Sequence, residues 1–242
     1  MAKRIAVVLA GCGWADGSDA AETMLMLLAA ERAGARVICA APDRDQKAVV
    51  DHLSGQAVEK AVRNARVEAA RLAGGPVLPL AELRANSVEG LLIPGGAGIE
   101  TTLSDYAEKH ELCAVDPDLA KLMRDLLAAR RPMGFSGLAA VLAARVLGPA
   151  AGVRLTLGAK ATPPGKHAAI MGADVRPATV ADVISDEQAR VHTTPGFLAE
   201  SPTLPAVARS IEQLVRAVVE GKKQDGKKQR RGAATGPDRG SA

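Results

Sequence analysis

The chain alternates short, uniformly apolar runs with stretches of helical periodicity, and this alternation constrains its fold more than any other feature. The apolar runs lack the polar alternation of half-exposed strands, so they are typical of strands buried on both faces. We expect strands over 5–10, 37–41, 88–93, 133–135, 153–157 and 190–193. We expect helices over 19–33, 64–72, 116–130, 137–147 and 205–219. This order of elements predicts an α/β fold, in which a parallel sheet is covered by helices on both faces.

The composition limits the classes of protein to which the chain can belong. Its 242 residues are 48% hydrophobic and 24% charged, which suits one large domain with a single sizeable core. Its three cysteines lack zinc-binding spacing and are too few for a disulfide framework, so we expect a cytoplasmic protein without a metal site. No apolar run approaches the roughly 18 residues of a membrane span. We therefore expect no membrane partner.

Charge distinguishes the C-terminal end from the rest of the chain. Residues 221–242 hold seven basic and two acidic side chains, whereas the whole chain carries a net charge of +4. This segment is rich in Gly, Lys and Gln and has no apolar periodicity, which is typical of disorder. We predict a domain over 1–220 and a disordered basic tail over 221–242, without a specific nucleic-acid partner.

The first twelve residues have two interpretations. They join a basic start to an apolar run and end at Cys12, as a bacterial lipoprotein signal does. The apolar run 5–10 is shorter than the roughly 7–15 residues of a signal core. Cleavage would also remove the first strand of the predicted sheet. We therefore favour a buried strand that ends in a turn.

The segment 131–147 has the pattern of a nucleophile elbow. A short buried strand is followed by a sharp turn at Ser136-Gly137 and an apolar helix. In such elbows a reactive side chain occupies the turn, and backbone N–H groups at the helix start, here including Leu138, face the substrate. The nucleophile position holds Gly137, which has no side chain. We expect this glycine to relieve the backbone strain that a side chain suffers at an elbow.

Two further loops leave strand ends near the predicted site. Asp19 and Glu22 have the spacing of a capping box, in which Glu22 would bind the backbone N–H of Asp19. Alternatively, Glu22 is an acid or base that faces the elbow. Gly95 and Gly96 form either a simple tight turn or part of an oxyanion hole. The glycines at 11, 13 and 17 miss the dinucleotide-binding spacing by one residue, so we expect no cofactor.

Together these motifs resemble the ElbB branch of the PfpI superfamily, whose fold is that of class I glutamine amidotransferases. The resemblance extends over about residues 3–219 and rests on LAGCGWADGSDAAE (9–22), APD (41–43), DHLSGQ (51–56), RNARVEAAR (63–71), IPGGAG (93–98), LSDYA (103–107), RPMGF (131–135), LAARVL (142–147) and TTP (193–195). It implies a flavodoxin-like three-layer sandwich with a mostly parallel central sheet. It also implies a homodimer.

The resemblance also implies an active site and an activity. In this family a cysteine on the elbow is paired with a glutamate on the first helix, which corresponds to Glu22. Glycines after the third predicted strand, here Gly95 and Gly96, help to form the oxyanion hole. Some members resemble cofactor-free glyoxalases that convert methylglyoxal to lactate. The branch is associated with isoprenoid biosynthesis.

The chain departs from this pattern at Gly137, where the family has its catalytic cysteine. The resemblance therefore implies a glyoxalase-like protein that is weakly active, or a binding or regulatory protein for a small carbonyl or anionic metabolite. The alternative is an active glyoxalase or hydrolase that uses Cys12 or Glu22 alone. Ser136 is a further substitute nucleophile, although neighbouring side chains on a strand point to opposite faces. His192 is expected to pack within a strand, and His52, His110 and His167 to lie on the surface or in turns.

Overall fold

A seven-stranded sheet forms the centre of the computed structural model, which describes residues 2–159 and 162–221. The described residues contain eleven strands: β1 (Arg4–Val8), β2 (Arg36–Ala41), β3 (Val50–Asp51), β4 (Gln56–Ala57), β5 (Leu78–Pro79), β6 (Gly90–Ile93), β7 (Met133–Ser136), β8 (Arg154–Leu155), β9 (Asp174–Val175), β10 (Ile184–Asp186) and β11 (Val191–Thr194). The central sheet has the order β10-β11-β7-β6-β1-β2-β5. Its pairings are parallel except for β10 against β11.

Eight α-helices lie in the described part of the chain. They are α1 (Ala20–Arg32), α2 (Ala65–Ala73), α3 (Gly98–Thr101), α4 (Tyr106–Lys109), α5 (Pro117–Ala128), α6 (Ala140–Ala151), α7 (Pro163–Ile170) and α8 (Leu204–Val219). Helices α1, α2 and α8 contribute to the hydrophobic cluster on one face of the sheet, and α5, α6 and α7 to the cluster on the other. The predicted three-layer α/β sandwich with a mostly parallel sheet is confirmed.

Strand β1 shows how the sequence produces this layering. Ile5 and Val7 belong to the cluster under α1 and α8, whereas Ala6 and Val8 belong to the cluster under α5 and α6. Successive side chains of a strand point to opposite faces, so a strand buried on both faces must be apolar throughout. All four side chains are fully buried. This burial is the reason for the unbroken apolar run near the N-terminus.

Several predicted boundaries differ from the structure. The strand expected over 153–157 is the short β8, which pairs with β9 outside the central sheet. The helix expected over 137–147 begins with a 3₁₀ turn at Gly137–Ala139 and continues to Ala151. Short runs such as β5 and β10, which complete the edges of the sheet, carry too few apolar residues for a periodic signal. The predicted tail lies outside the described residues, apart from Gly221.

The topology brings four loops to one edge of the sheet. β1, β6, β7 and β11 are parallel neighbours, so the loops that follow them leave at their shared carboxyl edge. The first of these loops precedes α1, and the second is the turn at 94–98, here called the PGG turn. The third is the elbow at Gly137, and the fourth begins at Pro195. No helix among residues 2–159 and 162–221 is long and apolar enough to span a bilayer.

Candidate active site

The start of helix α1 positions Glu22 at this edge. Asp19 is the N-cap residue, and its carboxylate accepts a hydrogen bond of 2.9 Å from the backbone N–H of Glu22. The Glu22 carboxyl does not complete the capping box. Instead, its Oε2 accepts a 2.7 Å hydrogen bond from Gly95 N–H, and its Oε1 accepts a 3.1 Å bond from Phe197 N–H. Half of the capping box is therefore present, and the Glu22 side chain joins three loops of the site.

Glu22 is only 1% exposed to solvent, so its carboxyl group is buried. Burial raises the pKa of Glu22, because the charged form loses its hydration. The two backbone N–H donors and the nearby Ser136 hydroxyl oppose this shift in the pKa. Ser136 Oγ is buried beside the carboxyl, although no well-formed hydrogen bond joins it to a described residue. The site thus holds a buried carboxyl whose pKa lies above that of an exposed glutamate.

Gly137 occupies the elbow with the backbone geometry expected there. Strand β7 ends at Ser136, and Gly137 has a φ of +58°, in the left-handed region that favours glycine. A Cβ placed on Gly137 would lie 3.5 Å from Glu22 Oε1 and 3.6 Å from the carbonyl oxygen of Pro195. Both distances are ordinary van der Waals contacts. The nucleophile position therefore has room for a side chain that faces Glu22.

The PGG turn is held against the start of helix α1. Asp19 N–H donates to the carbonyl of Gly95 at 2.8 Å, and Gly98 N–H donates to the carbonyl of Gly17 at 2.9 Å. Gly96 has a φ of +111°, and a Cβ on it would lie 2.3 Å from the Gly17 carbonyl oxygen. The N–H of Gly95 already donates to Glu22. Within the described segments, the N–H of Gly96 has no hydrogen-bond acceptor, so of these two glycines Gly96 is the better oxyanion donor.

These loops enclose a cavity of about 280 Å³, here called the elbow cavity. The residues predicted from the sequence that line it are Glu22, Gly95, Gly96, Gly137 and Leu138. Ser136 lies behind this wall, fully buried, and does not line the cavity. The geometry therefore brings together the glutamate, the glycine turn and the vacant elbow position.

Sequence reasoning missed Glu100, a further carboxyl at the elbow cavity. It lies on α3, directly after the PGG turn, and burial raises its pKa, with His110 opposing the shift. The available signal was its position, since an acidic residue in the helix that follows a strand-end glycine turn lies near the carboxyl edge of the sheet. The backbone N–H of Phe197 was also missed, because every residue except proline has a backbone N–H and the sequence does not show which of them points into the site.

Cys12 lies apart from the elbow cavity. It is partly exposed and does not line the cavity wall. Burial, followed by the nearby charge of Glu68, raises the pKa of its thiol. The thiolate is the nucleophilic form of cysteine, so this environment disfavours reactivity at neutral pH. The geometry gives Cys12 no partner in the cavity.

The four histidines occupy different surroundings. His192 is 4% exposed within β11, as predicted. His110 and His167 stack at 5.0 Å, and His167 Nδ1 lies 2.8 Å from the Tyr106 hydroxyl. His52 lies between β3 and β4, where its ring contacts Trp14 of the first loop. Among the residues whose structure is described, no group of three or more His, Cys, Asp or Glu side chains is arranged to hold a metal ion.

Comparison with known proteins identifies the family of the chain. It is 33% identical to the ES1 protein homolog, mitochondrial, of Rattus norvegicus over 225 residues, which cover 90% of this chain and 83% of the relative. It is 34% identical over 227 residues to the glutamine amidotransferase-like class 1 domain-containing protein 3, mitochondrial, of Homo sapiens, with the same coverage. The chain belongs to this glutamine amidotransferase-like class 1, or ES1, family. No family model matches the chain.

Comparison with solved structures relates this ES1 family member to a wider superfamily. An isoprenoid biosynthesis protein with an amidotransferase-like domain from Ehrlichia chaffeensis has a TM-score of 0.81 and 28% identity, and the match covers 90% of this chain and 99% of that one. DJ-1beta of Drosophila melanogaster has the same fold, with a TM-score of 0.57 and 16% identity over 92% of each chain. The resemblance to the ElbB branch of the PfpI superfamily is therefore confirmed.

Proposed function

We propose that this ES1 family member binds a small, neutral carbonyl compound without forming a covalent bond to it. The observation that carries the proposal is the elbow, where Gly137 supplies no side chain although a Cβ there would lie 3.5 Å from Glu22 Oε1. The elbow cavity thus keeps its carboxyl and its turn geometry but lacks a nucleophile. Such a site favours binding or regulation over rapid turnover.

The environment of Glu22 supports recognition of a carbonyl group. Burial raises the pKa of Glu22, so the carboxyl retains its proton at a higher pH than an exposed glutamate does. A protonated carboxyl donates a hydrogen bond, and a ligand carbonyl oxygen accepts one. The N–H of Gly96 is a second donor at the same cavity. Glu22 and Gly96 line the same cavity, so two donors are available for the two lone pairs of a carbonyl oxygen.

The charge of the cavity wall favours a neutral ligand over an anionic one. Asp19, Glu22 and Glu100 contribute three carboxyl groups to the elbow cavity. Among the described residues, no lysine or arginine lines it. An anionic metabolite would find no compensating cation among these residues, which is unfavourable in a partly buried site. We therefore propose a carbonyl compound in preference to an anionic metabolite.

A second candidate function is a cofactor-free glyoxalase that uses Glu22 alone. Its support is the raised pKa of Glu22, since a carboxylate of higher pKa is a stronger base. On hydrated methylglyoxal, Glu22 would remove the proton from the hydrated carbon and return a proton to the former ketone carbon. This isomerisation gives lactate without a covalent intermediate.

Methylglyoxal turnover by the full chain and its variants tests both candidates. We expect negligible lactate formation by the natural chain and measurable formation by Gly137→Cys. In that variant the thiol adds to the aldehyde carbon to form a hemithioacetal. A proton then moves from this carbon to the ketone carbon, and water hydrolyses the resulting lactoyl thioester, which releases lactate and the thiol. Gly137→Ala is the matched control, because it carries similar backbone strain without a nucleophile.

Direct binding completes the test. We expect acetone to shift the amide NMR signals of Gly95 and Phe197 in the natural chain, and the Glu22→Ala substitution, which removes the carboxyl donor, to weaken this binding. Rapid turnover by the natural chain that is lost in Glu22→Gln would establish the second candidate function instead. Turnover lost in Cys12→Ser would make Cys12 the nucleophile. The absence of any acetone-induced shift would contradict carbonyl binding.

A further inference from the structure

A second cavity of about 340 Å³ adjoins the elbow cavity. We call it the hairpin cavity, because His52, from the hairpin of β3 and β4, lines it. Trp14, Asp19 and Phe197 line both cavities. The two spaces are therefore neighbouring parts of one depression at the carboxyl edge of the sheet. The sequence prediction of the site covered only the elbow side.

Aromatic side chains are concentrated where the two cavities meet. The chain contains one Trp, one Tyr and two Phe residues in all. Trp14 is 60% exposed and Phe197 is 36% exposed, whereas Phe135 is fully buried. Large aromatic rings that remain in water forgo the free energy of burial, and an exposed pair beside a cavity is typical of a ligand-binding surface.

His52 forms a fixed third ring beside this pair. Its ring lies edge-on to Trp14, with ring centroids 5.9 Å apart and planes at 81°. His52 Nε2 accepts a 3.3 Å hydrogen bond from Ala15 N–H, and Nδ1 lies 3.1 Å from the carbonyl oxygen of Val50. Contacts from both ring nitrogens to the backbone hold the imidazole in one orientation. One ring in the wall of the hairpin cavity is therefore oriented before a ligand binds.

We propose that the hairpin cavity binds an aromatic or bulky apolar group attached to the carbonyl compound in the elbow cavity. The ring of the ligand would pack against Trp14, Phe197 and His52 while its carbonyl oxygen faces Glu22. This inference rests on the proposed function and adds the substrate class, namely a neutral aryl or cycloalkyl carbonyl compound. Within the described part of the chain, no lysine or arginine lines the hairpin cavity, so the walls provide no partner for an anionic tail.

Titration of the full chain with paired ketones tests the proposal. The single tryptophan gives one indole N–H signal in a ¹H–¹⁵N spectrum, and this signal reports directly on the wall shared by the two cavities. Acetone and acetophenone offer the same carbonyl group without and with a ring. We expect acetophenone to bind about tenfold or more tightly than acetone and to shift the Trp14 signal, because the ring buries apolar area. Cyclohexyl methyl ketone is expected to show the same preference.

Substitutions in the hairpin cavity separate this inference from the proposed function. We expect His52→Ala to weaken acetophenone binding several-fold and to leave acetone binding nearly unchanged, because His52 lines the hairpin cavity and not the elbow cavity. Phe197 lines both cavities, so we expect Phe197→Ala to weaken acetophenone binding by a larger factor than acetone binding. Leu53→Ala is the matched control for His52, since Leu53 is the neighbouring hairpin residue, is almost fully exposed and lines neither cavity. This control is expected to bind both ketones as the natural chain does.

Several results would overturn the inference while carbonyl binding stands. They are equal affinity for acetone and acetophenone, and acetophenone binding that is unaffected by both cavity substitutions. Tighter binding of benzoate than of acetophenone would also refute a neutral ligand. A Trp14 signal that shifts with protein concentration, and not with ligand, would assign the aromatic surface to a second copy of the chain. Failure of both ketones to bind would instead refute the proposed function.

Discussion

Replacement of Gly137 by alanine should cost little stability, and the reason can be worked out from the contacts around it. The left-handed φ of +58° costs a non-glycine residue about 1–2 kcal/mol. Alanine also restricts the backbone of the unfolded chain more than glycine does, which offsets about 0.4–1 kcal/mol of this loss of stability. The new Cβ would lie 3.5 Å from its nearest neighbour, so steric overlap adds nothing to the loss of stability. We expect Gly137→Ala to lower the free energy of unfolding by about 1 kcal/mol, or the Tm by about 2–4 °C.

Two other glycines provide the comparison. Gly74 has a φ of +66° with nothing within 4 Å of a Cβ, so Gly74→Ala measures the backbone strain alone. Gly96→Ala adds a severe overlap, because its Cβ would lie 2.3 Å from the Gly17 carbonyl oxygen and 2.5 Å from Asp19 N. Both of these atoms belong to the backbone, which must shift. We expect Gly96→Ala to cost about 3 kcal/mol or more.

Urea and thermal unfolding, followed by circular dichroism, measure the three substitutions under the same conditions. We expect Gly137→Ala and Gly74→Ala to agree to within about 0.5 kcal/mol, with Gly96→Ala clearly less stable. If Gly137→Ala destabilises the chain as much as Gly96→Ala does, the elbow has no room for a side chain. The expectation that Gly137→Cys restores turnover would then lose its structural basis.

Three further predictions follow from single groups. The pKa of Glu22 is raised in the folded chain, so the stabilisation by this group is complete below pH 4.5 and is lost as pH rises through the raised pKa. Over that pH range, urea unfolding should show the stability of the natural chain falling relative to that of Glu22→Gln. A stability difference between the two chains that stays constant with pH would contradict the raised pKa. Asp116 caps α5 by accepting hydrogen bonds from two backbone N–H groups, so Asp116→Ala should lower the free energy of unfolding by about 1–2 kcal/mol and Asp116→Asn by less. Equal losses of stability for the two substitutions in chemical unfolding would count against the cap. Cys12 is partly exposed while Cys39 and Cys113 are buried, so a thiol reagent should modify one cysteine of the native chain, and Cys12→Ser should abolish that reaction.

Much of the architecture follows from local patterns in the chain. The apolar run at β1 and the helical periodicity of α1, α5 and α8 depend on burial of one face or both, so residues close in sequence carry the signal. Caps are equally local, as Asp19 and Asp116 demonstrate. The elbow was recognisable for the same reason, since strand, turn and helix are consecutive. Short edge strands such as β5 escaped prediction because two residues carry no period.

The functional arrangement of Glu22 depends instead on distant parts of the chain. From residues 19–22 alone, its carboxyl fits a capping box as well as an active site. The fold supplies Gly95 N–H and Phe197 N–H from separate loops, and their hydrogen bonds draw the carboxyl away from its own helix terminus. Likewise His52 meets Trp14 only because the hairpin folds over the first loop. Local sequence patterns thus specify the helices, the strands and their caps. Hydrogen bonds and ring contacts between residues far apart in sequence form only when the folded sheet places their loops side by side at its carboxyl edge.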